Sequence, residues 1–176
     1  MSLPVAQTVK HIHHPDDTVV LTYDERFLRR KVLTSETGAR FLVDLPQTTS
    51  VGVHDAFVLD DGRSVGVVPA EEALYEVTGD DMVRLAWHIG NRHTPAQLAP
   101  ASIFIQRDHV MRDMLSRLGA TVREVVAPFT PEGGAYGHGR THGHDHSHSH
   151  GPGGHDHEHG QEHEHEHEHG DHSHAH

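Results

Sequence analysis

The amino-acid sequence predicts an α+β, mostly β protein in three parts. These are an N-terminal small antiparallel β domain (residues 1–72), a β-α-β-β-α-β domain (73–137) and a disordered His-rich tail (138–176). Three observations carry this reading. Short Val/Leu/Phe-rich runs separated by turn residues fill positions 18–68. Two apolar stripes of helical period follow between 78 and 119, with strand-like runs around them. From His138 onward there are sixteen His, seven Gly and no Val, Leu, Ile, Phe or Trp. Such a segment cannot bury enough apolar surface to offset its ordering entropy.

In the first part, "TVVLTY" (18–23), "RKVLT" (30–34), "ARFLVDL" (39–45), "AFVLDD" (56–61) and "SVGVVPA" (64–70) read as strands. "SETG" (35–38), "PQTTS" (46–50) and Asp61-Gly62 read as the turns between them, the last a tight hairpin. Short strands at this spacing suit a small antiparallel sheet or barrel. In the second part "LYEVTG" is a strand. Thr78 and Asp81 then have capping-box spacing before a helix with the stripe Met82, Leu85, Ala86 and Ile89, and Gly90 as its stop. "QLAP" and "SIFIQ" are short strands. Asp108 opens a second helix with stripe Met111, Met114, Leu115 and Leu118, closed by Gly119, and "TVREVVAPF" is the last strand. That order is the ferredoxin-like βαββαβ unit, which hosts many functions and selects none.

The totals exclude several classes. The net charge of −12 is split between a tail with eight acids and one Arg and a body that holds the remaining −5. That balance repels phosphates and favours cations, so no nucleic-acid partner is expected. The absence of Cys removes disulfides, zinc–thiolate sites and thiol catalysis. No apolar run approaches the roughly 18 residues of a membrane span, and "MSLPVAQTVKHIHH" lacks a signal peptide's apolar centre. A cytoplasmic protein with no membrane partner is the expectation.

The tail's chemistry is that of a metal collector. Imidazole suits Ni(II), Zn(II) and Cu(II), and its reference pKa near 6.5 leaves much of it neutral at cellular pH. His-x-His neighbours close small chelate rings at low entropic cost, and interleaved Asp and Glu add oxygen ligands. The candidate ligands are His142, His144, His146, His148, His150, His155, His157, His159, His163, His165, His167, His169, His172, His174 and His176. Interchangeable ligands give several sites of moderate affinity and poor selectivity. A purification tag, a pH-responsive solubilising tail and plain sequestration are the competing readings, and composition does not give the purpose of metal binding.

Seven His lie in the body: His11, His13, His14, His54, His88, His93 and His109. His88 and His93 are five apart, a poor spacing for one helical face, and there is no HExxH. His93 falls in an Asn-Arg-His-Thr-Pro turn, where a lone His is more often an ordinary surface residue. His11, His13 and His14 either form a small chelate or occupy a mobile N-terminus. There is no nucleophile elbow and no phosphate-cradling loop, so the chain is not expected to be an enzyme.

"LTYDERFLRRKVLTSETGARFLVDLPQTT", "LDDGR", "HIGNRHTPAQL", "DHVMRDMLSRLGATV" and "APFTPEGGAYGHG", in this order and followed by a His-rich end, resemble the UreE family of urease accessory proteins, which are nickel metallochaperones. The resemblance covers most of residues 20–140. It implies a homodimer that carries Ni(II) as cargo, with Zn(II) or Cu(II) as possible substitutes. It also implies delivery to the urease apoprotein–accessory protein complex, which includes an accessory GTPase, with the β domain contacting partners. It places the primary metal ligand at His93, at the dimer interface, where a two-fold axis would present two copies to one ion. Some family members carry His-Asp-His before the second helix. Here Arg107 replaces the first His and cannot ligate a cation, which leaves His109 as an auxiliary ligand without its mate. "GVHDAF" also departs from the usual Gly-Asp turn. A general Ni/Zn/Cu buffer or storage protein without a dedicated client is the alternative function.

Overall fold

The computed structural model describes residues 2–133. The expected tail, with every candidate ligand from His142 to His176, lies outside them. The strands are β1 (Val5–His11), β2 (Asp17–Leu21), β3 (Phe27–Thr34), β4 (Arg40–Ser50), β5 (Asp55–Leu59), β6 (Ser64–Pro69) and β7 (Glu71–Thr78). They are followed by α1 (Met82–Gly90), β8 (Ala96–Leu98), β9 (Ile103–Gln106), α2 (His109–Arg117) and β10 (Thr121–Pro128). Among the described residues the protein is mostly β, with two helices and two sheets. No helix among the described residues is long and apolar enough to cross a membrane.

The first sheet has the order β2-β6-β5-β1-β4-β3. Period-two alternation drives its core: along β4, Phe41, Val43 and Leu45 point inward, and they join Phe57, Val65 and Val67 in one buried cluster. The Asp61-Gly62 hairpin forms as expected, with Gly62 at φ 88° and Leu59 N–H donating to the Arg63 carbonyl at 2.8 Å. Gly66 is required where it stands, since a Cβ there would meet the Pro15 ring at 2.6 Å.

Three expectations for this part need correction. The sheet is mixed rather than antiparallel, because β1 runs parallel to β4 and β2 parallel to β6. Strand β1 was not anticipated: only its Ala6 is fully buried, so the run shows little alternation. "PQTTS" is not a turn but the end of β4, where the β3–β4 register shifts so that residues 45–48 face Arg29. Pro46 sits in that irregularity, where no ladder N–H is needed.

Carboxylates tie the loops of this sheet. Asp16 accepts from the Ser64 N–H (2.8 Å) and hydroxyl (2.9 Å), and these bonds hold its carboxyl below the usual range. Asp17 is likewise lowered by the Ser35 and Thr37 hydroxyls, Glu25 by the Thr22 N–H, and Asp61 by Arg63.

The second sheet, β10-β7-β9-β8, is antiparallel throughout. Leu85 and Ile89 of α1 and Met111 and Leu115 of α2 pack with Tyr75, Val77, Ile103 and Ile105 in its core. The cap of α2 is Asp108, accepting from Met111 N–H at 2.7 Å, and Gly119 ends it at φ 85°. Helix α1 differs from expectation: Asp81 caps it through Arg84 N–H (3.0 Å), while Thr78 stays in β7 opposite Thr121. Between the sheets, Tyr23 N–H donates to Glu72 (2.6 Å), Tyr23 and Phe129 meet edge to face at 5.5 Å, and Arg26 bonds the Phe129 carbonyl.

Candidate metal centre

Helix α1 does not release the chain at Gly90. Asn91 is still right-handed and its N–H reaches the Trp87 carbonyl (2.9 Å), and the Arg92 N–H reaches Ile89 (3.1 Å). The left-handed step that ends the helix falls on His93, with φ 54° and its N–H on the Gly90 carbonyl at 2.9 Å. It is the only non-glycine residue with positive φ among the described residues. A residue with a Cβ costs about 1–2 kcal/mol there, where Gly is the usual occupant. A large imidazole here carries a backbone cost that glycine would not.

His93 is exposed and lines a groove of about 260 Å³ with Ala86, Ile89, Pro95, Leu98 and Glu132. The groove wall is mainly apolar. Glu132, anchored by its N–H on the Ala96 carbonyl (2.9 Å), is a carboxylate that the sequence reading did not single out. Its only signal was its place in "APFTPEGG", six residues before the first tail histidine. Leu98 is 53 % exposed at this groove, and Val83 (82 %) and Trp87 (62 %) project from α1 one turn apart. The helix that ends at His93 thus carries apolar surface that the described residues do not cover.

The other candidates are placed separately. His88 is half-buried on α1, its ring edge-on to Trp87 at 4.9 Å and its carbonyl accepting from Arg92 (3.2 Å). It does not line the His93 groove. His109 is the exposed first residue of α2 and does not share that groove either. Arg107, where a second imidazole would stand, has structural work. Its guanidinium donates to the Leu74 and Val125 carbonyls (3.3 and 3.2 Å) and pairs with Glu124 at 2.9 Å, bridging β7 and β10. Among the described residues no three His, Asp or Glu side chains stand grouped to hold a metal ion. One chain therefore offers His93 as an isolated imidazole, which needs ligands from elsewhere to hold an ion.

Comparisons with known proteins match the chain in two segments. Residues 3–70 match the family model described as UreE urease accessory protein, N-terminal domain. Residues 72–176 match that described as UreE urease accessory protein, C-terminal domain. The chain is 59 % identical over 145 residues to a urease accessory protein UreE of Ruegeria pomeroyi, spanning 81 % of this chain and 97 % of that protein. It is 52 % identical over 125 residues to one of Rhodobacter capsulatus, spanning 71 % and 80 %. With both halves matched and identity of this level over most of its length, the chain belongs to the UreE family of urease accessory proteins.

Proposed function

We propose that this protein is a nickel-binding metallochaperone for urease maturation, with Ni(II) as cargo and no catalytic turnover. The observation that carries the reading is the exposed, left-handed His93 at the rim of an apolar groove. In this reading two copies associate through the apolar surface around α1, and the two-fold axis brings both His93 imidazoles to one ion. Glu132, water or tail imidazoles complete the coordination. Exposed Leu98, Val83 and Trp87 support such an association, and the name shared by the relatives supports the urease assignment.

The proposed division of labour follows the chain. The β domain (1–72) contacts the urease apoprotein–accessory complex and its GTPase. The second domain (73–137) is a ferredoxin-like unit, for which the antiparallel order β10-β7-β9-β8 is the support, and it carries the selective site. The His-rich segment (138–176) collects ions at high capacity and low selectivity, with His109 a minor addition. In this reading the work is done in the cytoplasm. Imidazole would bind Cu(II) more tightly than Ni(II), so selectivity depends on the geometry imposed by the dimer and on metal supply.

The test is urease activation in cells limited for nickel. Wild type restores activity; His93→Ala loses most of it while leaving total bound nickel largely intact; truncation after about residue 137 removes capacity and leaves activation at adequate nickel. Unimpaired activation in both variants would favour a buffer without a client.

A further inference from the structure

The register of the first sheet gathers histidines that lie far apart in sequence. Strand β1 ends at His11, paired with Asp55 at the start of β5, and Ile12 N–H donates to the His54 carbonyl at 3.3 Å. The side chains of His11, His13 and His54 are thereby brought to one patch, all exposed. The His11 and His13 ring centroids are 4.9 Å apart, and those of His11 and His54 5.8 Å. Two imidazoles bound to one ion at 2.0–2.1 Å per nitrogen have centroids about 5–6 Å apart, so the rings stand near the spacing of a shared ion. As placed, their nitrogens do not converge on one point, and the rings must turn to do so. Asp55 Oδ1 lies 3.9 Å from His11 Nδ1, a little wider than the roughly 3.4 Å edge of a tetrahedral site. Its other oxygen is held by the Gly52 N–H at 2.7 Å, the kind of outer bond that fixes a ligating carboxylate.

We propose that His11, His13, His54 and Asp55 form a second divalent transition-metal site on the β domain, closed by rotation of exposed rings when an ion arrives. Three imidazoles and one carboxylate suit Ni(II), Zn(II) or Cu(II) and disfavour Mg(II) and Ca(II). Its location suggests its use. His11, His54 and Asp55 line a groove of about 390 Å³ together with Thr130–Gly133, and Glu132 and Gly133 also line the His93 groove. The segment leading into the His-rich end thus passes both sites. Use as a waiting position for cargo rests on the metallochaperone reading; the site itself does not.

The test is amide-resolved NMR of the full chain titrated with Cu(II) as a paramagnetic probe, carried past the capacity of the His-rich end. Amides of residues 10–14 and 53–56 are expected to broaden as a group, distinct from those of 92–94. His54→Asn and His11→Asn, each at an exposed side chain, should raise the Cu(II) needed for this broadening by at least roughly tenfold and leave the response at 92–94 unchanged. Amides at 10–14 and 53–56 that stay sharp, or broaden at the same dose in both variants, overturn the site. A response there with none at 92–94 supports it and overturns the role given to His93.

Discussion

Replacing His93 by glycine separates what the residue does for the fold from what it does for metal. At φ 54° its backbone is in the region that costs a residue with a Cβ about 1–2 kcal/mol, and His, a type tolerated there, falls at the lower end. Glycine removes that cost but adds about 0.5–1 kcal/mol of backbone entropy lost on folding. The net expectation for His93→Gly is therefore stabilisation by about 0–1 kcal/mol. For a folded body of this size that is a rise in Tm of up to about 4 °C. His93→Ala keeps the strained backbone and should melt close to wild type. The assay is thermal unfolding by circular dichroism with a chelator present, so that bound metal does not add its own stabilisation. Nickel titration of the same samples should show that both variants lose the tightest class of site. A glycine variant melting several degrees below wild type would mean that the imidazole packs structurally and that the strain argument is wrong.

Two further outcomes follow from the geometry. Arg107→His restores an imidazole two residues before His109 but removes the guanidinium bridge from β7 to β10, so it should cost roughly 1–2 kcal/mol in urea unfolding while adding only weak metal capacity; unchanged stability would refute the bridging role. Asp16, Asp17, Glu25 and Asp61 all have pKa values held below their ordinary ones in the fold, so their contribution is complete above the unfolded carboxylate range and is lost as pH falls through the lowered values. Urea midpoints should hold from pH 7 to about 5 and fall below about pH 4, less steeply in Asp16→Asn. Equal midpoints at pH 7 and 3 would contradict this.

Local signals in the sequence were reliable where one residue type had one physical use. Asp61-Gly62 made its hairpin, Asp108 and Gly119 bounded α2, and the stripes of both helices entered the core. What failed was what depends on distant partners. Nothing in residues 5–11 announces pairing with residues 42 and 43, so β1 and the parallel ladders were not foreseen. Thr78 and Asp81 are both competent caps, and β7 pairing with Thr121 decided between them. For the site, composition alone would have passed over His93, and the family resemblance singled it out. Its left-handed backbone was not legible, since Gly90 was the natural candidate for that step. The meeting of His11 with His54 required the β1–β5 register, which no spacing rule reveals.

The measurement closest to the central claim is a calorimetric Ni(II) titration of the full chain, read with sedimentation of the same samples. The account predicts a tightest class of one ion per two chains, lost in His93→Ala, above a weaker and larger class that survives. A tightest class of one ion per chain, or one unchanged by His93→Ala, would contradict it.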